Sequence, residues 1–244
     1  MIEITDDAID RTAYERDGFV VLQVLDEQEI DHFLAEAEKL ITPDASTARA
    51  ATGSSDQAFQ HFGDRLEDYG KLPKNYYFHL INNRRARSLH NAFHHPNVLQ
   101  VIEAMLGPEL ILNNGSMLAA EAGVTYPLGW HRDVIQIPQE EIEDFLYSPE
   151  WFHNNVQVNL ALTEDRCLWA VPGSHCRPNN AEEITAFGGS KHYAPPNAEM
   201  PGAVEVPLKP GEGIFYNNNM IHNGLCQRIA NPRRTIHLAP CCAP

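Results

Sequence analysis

Gly129-Trp130-His131-Arg132-Asp133 sets an imidazole two residues before a carboxylate. On a strand, side chains at i and i+2 share a face, so His131 and Asp133 would project together and fill two adjacent positions on one metal. Two histidines and one carboxylate on one face of an octahedron, with the other three positions open, form the donor set of non-heme Fe(II) oxygenases. By itself His-x-Asp equally describes a surface turn or an ion pair with Arg132. A third donor must come from elsewhere in the chain. His32 lies on a polar helix face, His94-His95 at a helix break, and His175 after a Pro-Gly-Ser turn. His222 differs, because the apolar run Gly213-Ile214-Phe215-Tyr216 leads through a polar turn to it. Eleven residues later Arg233 opens the run Arg233 to Leu238. A guanidinium there can clamp the far carboxylate of a dicarboxylate cosubstrate in a bidentate way that lysine cannot.

These groups need rigid elements to hold them. Gly18 to Val24 is β-branched and apolar and reads as a strand. A helix follows, with Asp26 as N-cap, Glu29 three residues on, and Ile30, Phe33, Leu34, Ala37 and Ile41 along one face. A second helical region, about 83 to 106, is interrupted at His95-Pro96 and stopped by Gly107-Pro108. After Pro108 short β-rich runs alternate with turns: Glu109 to Met117, Leu128 to Ile137, Asn155 to Leu162, Leu168 to Val171, Ala203 to Leu208, Gly213 to Asn217 and Arg233 to Leu238. Such spacing predicts a sandwich or barrel, and helices first with strands later argues against a βαβ repeat. The expected architecture is β-rich α+β, one domain over 1–244, with N-terminal helices packed on a β-sandwich. Residues 42–74 are polar and aperiodic, and read as a mobile or irregular insertion.

The composition narrows the partners. The 244 residues carry 18 basic and 33 acidic side chains, a net charge of −15. An acidic surface disfavours nucleic acid and anionic membranes, though a local arginine can still bind an anion against the global field. The acidic start, Met1 to Asp7, has no apolar stretch behind it and no long apolar run follows, so a cytoplasmic protein without a secretory signal is expected. Cys167, Cys176, Cys226, Cys241 and Cys242 form no CxxC pair and read as reduced thiols, the last two in a tail of doubtful structural role.

Taken in order, the motifs resemble the phytanoyl-CoA dioxygenase family of Fe(II)/2-oxoglutarate enzymes. The His-x-Asp…His…Arg order matches. Leu168-Trp169-Ala170-Val171-Pro172-Gly173-Ser174-His175 is similar to the family's Leu-x-x-x-Pro-Gly-Ser-His stretch. Gly211-Glu212-Gly213 with Phe215, His222 and Gly224 resembles its Gly-Asp…Phe…His-x-Gly stretch, and Asp17-Gly18-Phe19-Val20-Val21 and His95-Pro96…Leu106-Gly107-Pro108 are further points of likeness. The resemblance spans nearly the whole chain and is weakest over 42–74. It implies a double-stranded β-helix (jelly-roll, cupin-like) core, with His131, Asp133 and His222 on the iron and Arg233 on the far carboxylate of 2-oxoglutarate. Arg234 is the rival for that last role, since alternation sends only one of the two inward. Asn113 and Asn114 stand on a strand that could reach the cosubstrate, or at a strand-end turn.

Arg132 fills a position where many members carry glutamine, and Thr163-Glu164-Asp165-Arg166-Cys167 replaces the usual Asn-Gly. Neither departure is expected to touch a proposed ligand. The resemblance implies a dioxygenase that uses Fe(II), 2-oxoglutarate and O2, assisted in vitro by ascorbate, to hydroxylate or otherwise oxidise a C–H bond of a small molecule with release of succinate and CO2. Related halogenases have a small residue where Asp133 stands, so oxygenation is favoured. No basic run suits the CoA phosphates, which favours a smaller metabolite, of the secondary-metabolite kind. The alternative is a cupin-like metal-binding protein or isomerase that does not use 2-oxoglutarate. The aromatics Phe145, Tyr147, Trp151 and Phe152, and separately Tyr76-Tyr77-Phe78, are read as either pocket wall or core.

Overall fold

The computed structural model describes residues 2–41, 75–81, 83–133, 155–188, 193–226 and 228–242. The strands are β1 (Phe19–Gln23), β2 (Asn75–His79), β3 (Leu110–Ala120), β4 (Tyr126–His131), β5 (Gln157–Ala161), β6 (Leu168–Ala170), β7 (Tyr193–Ala194), β8 (Val204–Glu205), β9 (Glu212–Tyr216), β10 (His222–Cys226) and β11 (Arg233–Cys242). Helices α1 (Arg11–Asp17), α2 (Glu27–Ile41), α3 (Pro96–Leu106) and α4 (Ala181–Ala186) accompany them, with a 3-10 segment over Arg84–His94. Two antiparallel sheets result, a larger one in the order β1-β9-β5-β11-β3-β2 and a smaller one in the order β7-β4-β10-β6-β8. This is the jelly-roll arrangement, in which chemistry sits between the sheets.

The alternation of each strand divides the larger sheet into two faces. Its outer face carries Met117, Ala119, Val158, Leu160, Phe215, Ile236 and Leu238, all buried under the helices. Helix α2 starts where the sequence predicts. The Asp26 carboxylate accepts from the Glu29 N–H at 2.9 Å and the Glu29 carboxylate accepts from the Asp26 N–H at 2.9 Å, a reciprocal cap. Its Phe33, Ala37 and Leu40 are buried against that face. Helix α3 begins at Pro96 after an extended His95 and ends at Gly107, burying Val98, Val101 and Ile102. Each such side chain contributes about 1.5–3 kcal/mol by leaving water. The helices thus fix the larger sheet from behind and leave its inner face for polar residues. Among the described residues no helix is long and apolar enough to cross a membrane.

Several boundaries differ from expectation. The run from Leu128 forms a strand only as far as His131; residues 134–154, with Phe145, Tyr147, Trp151 and Phe152, lie outside the described residues, as do 42–74. Tyr76-Tyr77-Phe78 belongs to β2, with Tyr77 facing inward and Phe78 packed on the helical side. His222 is not the end of a turn but the first residue of β10. Cys241-Cys242 is no loose tail, since it completes β11 opposite Ile111 and Leu110. Two early strands, β1 and β2, form the edges of the larger sheet. A strand of five residues among helices leaves little periodic signal, which is why β2 escaped the pattern.

The Asp17-Gly18 step has a structural explanation. Gly18 caps α1 with φ +88, and a Cβ there would lie 2.7 Å from Nδ1 of the buried His175. The Gly18 carbonyl accepts from the Asn217 N–H and the Asp17 carbonyl accepts from the Gly173 N–H, both at 2.9 Å. These bonds pin the loop before His222 to the Pro-Gly-Ser-His turn. Gly18→Ala should lower unfolding free energy by about 2–4 kcal/mol, the sum of a left-handed backbone penalty and an overpacked contact. In a His175→Ala background urea denaturation should show only the backbone part, about 1–2 kcal/mol; an undiminished loss would show that the ring is not the obstacle.

Candidate metal centre and its cavity

His131 and His222 occupy one rung of the β4–β10 ladder, as direct antiparallel partners. Their rings stand 4.3 Å apart, centroid to centroid. In each, Nδ1 lies close to the carbonyl two residues earlier: His131 to Gly129 at 2.7 Å and His222 to Met220 at 2.8 Å. A carbonyl only accepts, so each Nδ1 carries the proton and each Nε2 presents a bare lone pair. The Asp133 oxygens lie 3.4 Å from Nε2 of His131 and 3.3 Å from Nε2 of His222. One ligand atom from each residue falls within 4.8 Å of the others. Adjacent donors about 2.1 Å from one cation are roughly 3 Å apart, so the three suit a single metal without rearrangement. Burial alone would raise the Asp133 carboxyl; the two imidazoles outweigh it and hold the group well below the usual carboxylate range.

Asp133 reaches this place by a route that alternation does not describe. The strand ends at His131, and Asp133 sits in the bend beyond, its N–H donating to the Asn218 carbonyl at 2.9 Å. The intervening Arg132 is buried and turns away from the metal side. Its guanidinium donates to the carbonyls of Ser174 (2.7 Å) and Asn219 and to the Asn179 side chain (2.8 Å). Ser174 in turn accepts the Ile221 N–H on its hydroxyl at 2.8 Å, and the Asn219 amide donates to the His175 carbonyl at 2.7 Å. The Pro-Gly-Ser-His turn therefore holds the loop between β9 and β10, and with it both His222 and Asp133. Gln157, on the larger sheet, donates to Asp133 Oδ2 at 2.8 Å and fixes the carboxylate across the gap.

Strand β11 separates the two arginines. Arg233 lies inside the cavity, only 2 % exposed, with its guanidinium carbon 4.1 Å from the Tyr126 ring centroid. Its Nε donates to Asp165 Oδ2 at 2.8 Å, while Nη1 has no hydrogen-bond partner among the described residues. Asp165 also accepts the Thr235 hydroxyl at 2.5 Å and the Cys167 N–H at 2.9 Å. Burial raises this carboxyl and Arg233 pulls it down, leaving it below its ordinary value. The expectation that the Thr163–Cys167 departure touches no proposed ligand is thus corrected: Asp165 orients Arg233. Arg234 faces the other way, toward Glu38 at 2.6 Å and Glu121 at 2.9 Å, and does not line the cavity.

The cavity has a volume of about 590 Å³ and opens between the inner faces of the two sheets, within the usual range for small-molecule sites. Asn113 and Asn114 line it from the middle of β3, not from a strand-end turn; Asn113 donates to Cys241 Sγ at 3.0 Å. Lining residues without a motif include Asn155, Gln157, Asn159, Asn218 and His237. Strand alternation was the available signal for Gln157 and Asn159, which share a face of β5, and for His237, which shares a face of β11 with Arg233. The His237 Nδ1–H donates to Asn159 Oδ1 at 2.8 Å, and burial pushes the imidazole down to about 4.

Comparison with known proteins gives the same frame. Residues 14–235 match the family model described as phytanoyl-CoA dioxygenase (PhyH). Among curated proteins none matches the sequence. Solved structures are similar in fold. AviO1 from Streptomyces viridochromogenes Tue57 is 21% identical with TM-score 0.65, covering 100% of this chain and 99% of that one. The epimerase SnoN, in complex with Fe3+, alpha ketoglutarate and nogalamycin RO, is 21% identical with TM-score 0.64, covering 98% and 85%. EvdO2 from Micromonospora carbonacea var. aurantiaca, complexed with 2-oxoglutarate, is 21% identical with TM-score 0.62, covering 96% and 90%.

Removing the Gln157 tether tests how far the carboxylate depends on its support. Gln157→Leu should weaken Fe(II) binding by about 10- to 100-fold in anaerobic titration, with the fold unchanged by circular dichroism. Wild-type affinity would show that the Asn218 carbonyl and the two histidines position Asp133 without Gln157.

Proposed function

The chain belongs to the phytanoyl-CoA dioxygenase family, an oxidoreductase class that uses iron and 2-oxoglutarate, and we propose that it oxidises a C–H bond of a small molecule as a dioxygenase. The observation that carries this reading is the convergence, in one cavity, of three metal donors and one arginine with a free donor edge. His131, Asp133 and His222 would hold Fe(II). Arg233 would hold the far carboxylate of 2-oxoglutarate. When bound, iron, 2-oxoglutarate and O2 would supply the oxidising power for C–H cleavage, with 2-oxoglutarate converted to succinate and CO2.

The residues of the chain provide the rest. The Gly129 and Met220 carbonyls keep both imidazoles in the metal-binding tautomer. Gln157 holds the carboxylate in its orientation. Asp165 and Tyr126 fix the Arg233 guanidinium before any ligand arrives, so little ordering is required on binding. An anion at the free Nη1 then satisfies a buried donor that is otherwise unpaired. Donors confined to one side of the metal position leave room on the cavity side for cosubstrate and substrate together.

Two measurements test the assignment. His222→Ala should abolish stoichiometric Fe(II) binding, and retained wild-type affinity would sink the centre. Arg233→Ala should raise the KM for 2-oxoglutarate about 100-fold, the effect of losing a charge-assisted pair, while Arg234→Ala should change stability and not KM. The reverse result would transfer the role. A product heavier by one oxygen supports oxygenation; a stereoisomer of unchanged mass would replace it with an epimerase reading.

A further inference from the structure

Beyond the metal donors and Arg233, the described walls of the cavity lack formal charge. No lysine lines it, and Asp133 is its single lining carboxylate among the described residues. Arg233 is already committed to Asp165 on one edge. His237 is buried in the wall with its Nδ1 bonded to Asn159, and burial disfavours its charged form. A substrate carrying its own ammonium or phosphate would therefore find no free counter-charge among the described residues of a low-dielectric space, which is strongly unfavourable.

Polar groups are nevertheless abundant there, and several are waiting. Asn155 Nδ2, Gln157 Oε1 and Asn218 Oδ1 are buried without a hydrogen-bond partner among the described residues. Their residues are only 8 %, 7 % and 8 % exposed, and all three line the cavity. Asn155 and Gln157 stand on the face of the larger sheet that also bears Asn159, while Asn218 comes from the loop that receives the Asp133 N–H. One donor and two acceptors thus converge from both sides of the gap. His237, bonded through Nδ1 to Asn159, offers Nε2 as a further acceptor.

A hydrocarbon chain would leave these amides buried and unpaired, at about 1–3 kcal/mol each. A hydroxyl both donates and accepts, so one kind of group satisfies every member of the set. Leu118, Leu128 and Leu168 supply apolar patches between the amides, matching a molecule with alternating hydroxyl edges and C–H faces. We propose that the substrate is an uncharged, polyhydroxylated molecule of the glycoside type, bound through its hydroxyls by Asn155, Gln157, Asn218 and His237. This rests on the iron and 2-oxoglutarate reading only for the position of the reacting carbon.

The test is calorimetric binding of matched probes to the full chain, both metal-free and loaded anaerobically with Fe(II) and 2-oxoglutarate. The probes are neutral methyl glycosides and neutral oligosaccharides, the corresponding amino sugars, uronates and sugar phosphates, and a long-chain acyl-CoA. Neutral glycosides should bind at least about tenfold more tightly than their charged counterparts and the acyl-CoA. Asn155→Leu and Asn218→Leu should each weaken the best neutral probe about tenfold, whereas Asn218→Gln should recover part of the loss. Fe(II) and 2-oxoglutarate affinities of Asn155→Leu should match wild type. A panel in which no neutral glycoside binds, or in which a charged probe or acyl-CoA binds most tightly, overturns the inference. Failure of Fe(II) or 2-oxoglutarate to bind, with glycoside binding to the metal-free chain intact, would instead overturn the reading of the metal centre.

Discussion

Two imidazoles aimed at one point, with a carboxylate beside them, form an arrangement that a protein interior does not favour. His131 and His222 are cross-strand partners, and each has given its Nδ1 proton to a carbonyl two residues behind it. What remains at the meeting point is two lone pairs and a negative charge. A single cation at that point would satisfy all three donors at once. Much of the surrounding architecture can be understood as enforcing this geometry. Gln157 braces Asp133 from the opposite sheet, Arg132 and the Pro-Gly-Ser-His turn brace the loop from below, and Gly18 allows His175 to fill the space behind that turn.

Strand β11 carries two arginines with different surroundings in a chain of net charge −15. The global field of an acidic surface is screened within about 8–10 Å at physiological salt. Inside the cavity the local charges decide. Arg234 is neutralised by Glu38 and Glu121 near the surface and serves the packing of β11 on α2. Arg233 is desolvated, and its buried partner Asp165 makes that tolerable by matching one edge of the guanidinium. The opposite edge faces the cavity. A buried ion pair contributes little net stability, but here it holds a planar donor in place, stacked on Tyr126, which serves recognition better than stability.

Much of the candidate metal centre was legible from residue order, because metal chemistry restricts the choice of donor to a few residue types. His131, Asp133 and His222 stand out by type and come together in the structure, and Arg233, expected from its offset from His222, lines the same cavity. Strand alternation does not operate past His131, and the Asn218 carbonyl positions Asp133 instead. Whether Arg233 or Arg234 turns inward depends on the register of β11 against β3 and β5, a long-range property that no local window contains. The role of Asp165 is hidden from the sequence for the same reason. Sixty-eight residues separate it from Arg233, and its role exists only once β11 is laid beside the end of β5.

The cavity amides mark the limit of such reading. A metal needs particular donor atoms at fixed spacing, whereas a hydroxyl can be bound by asparagine, glutamine, histidine, serine or a backbone group at almost any position that faces it. Asn155, Gln157 and Asn218 therefore leave no motif, and in sequence they are ordinary polar residues in short β-rich runs. Burial is what makes them informative. An exposed asparagine satisfies itself with water, but three amide atoms enclosed between two sheets without partners are a liability that folding alone would not retain. The walls of this site are accordingly most readable where the fold leaves a polar group unsatisfied, and among the described residues those groups include the Arg233 guanidinium edge and three neutral amides.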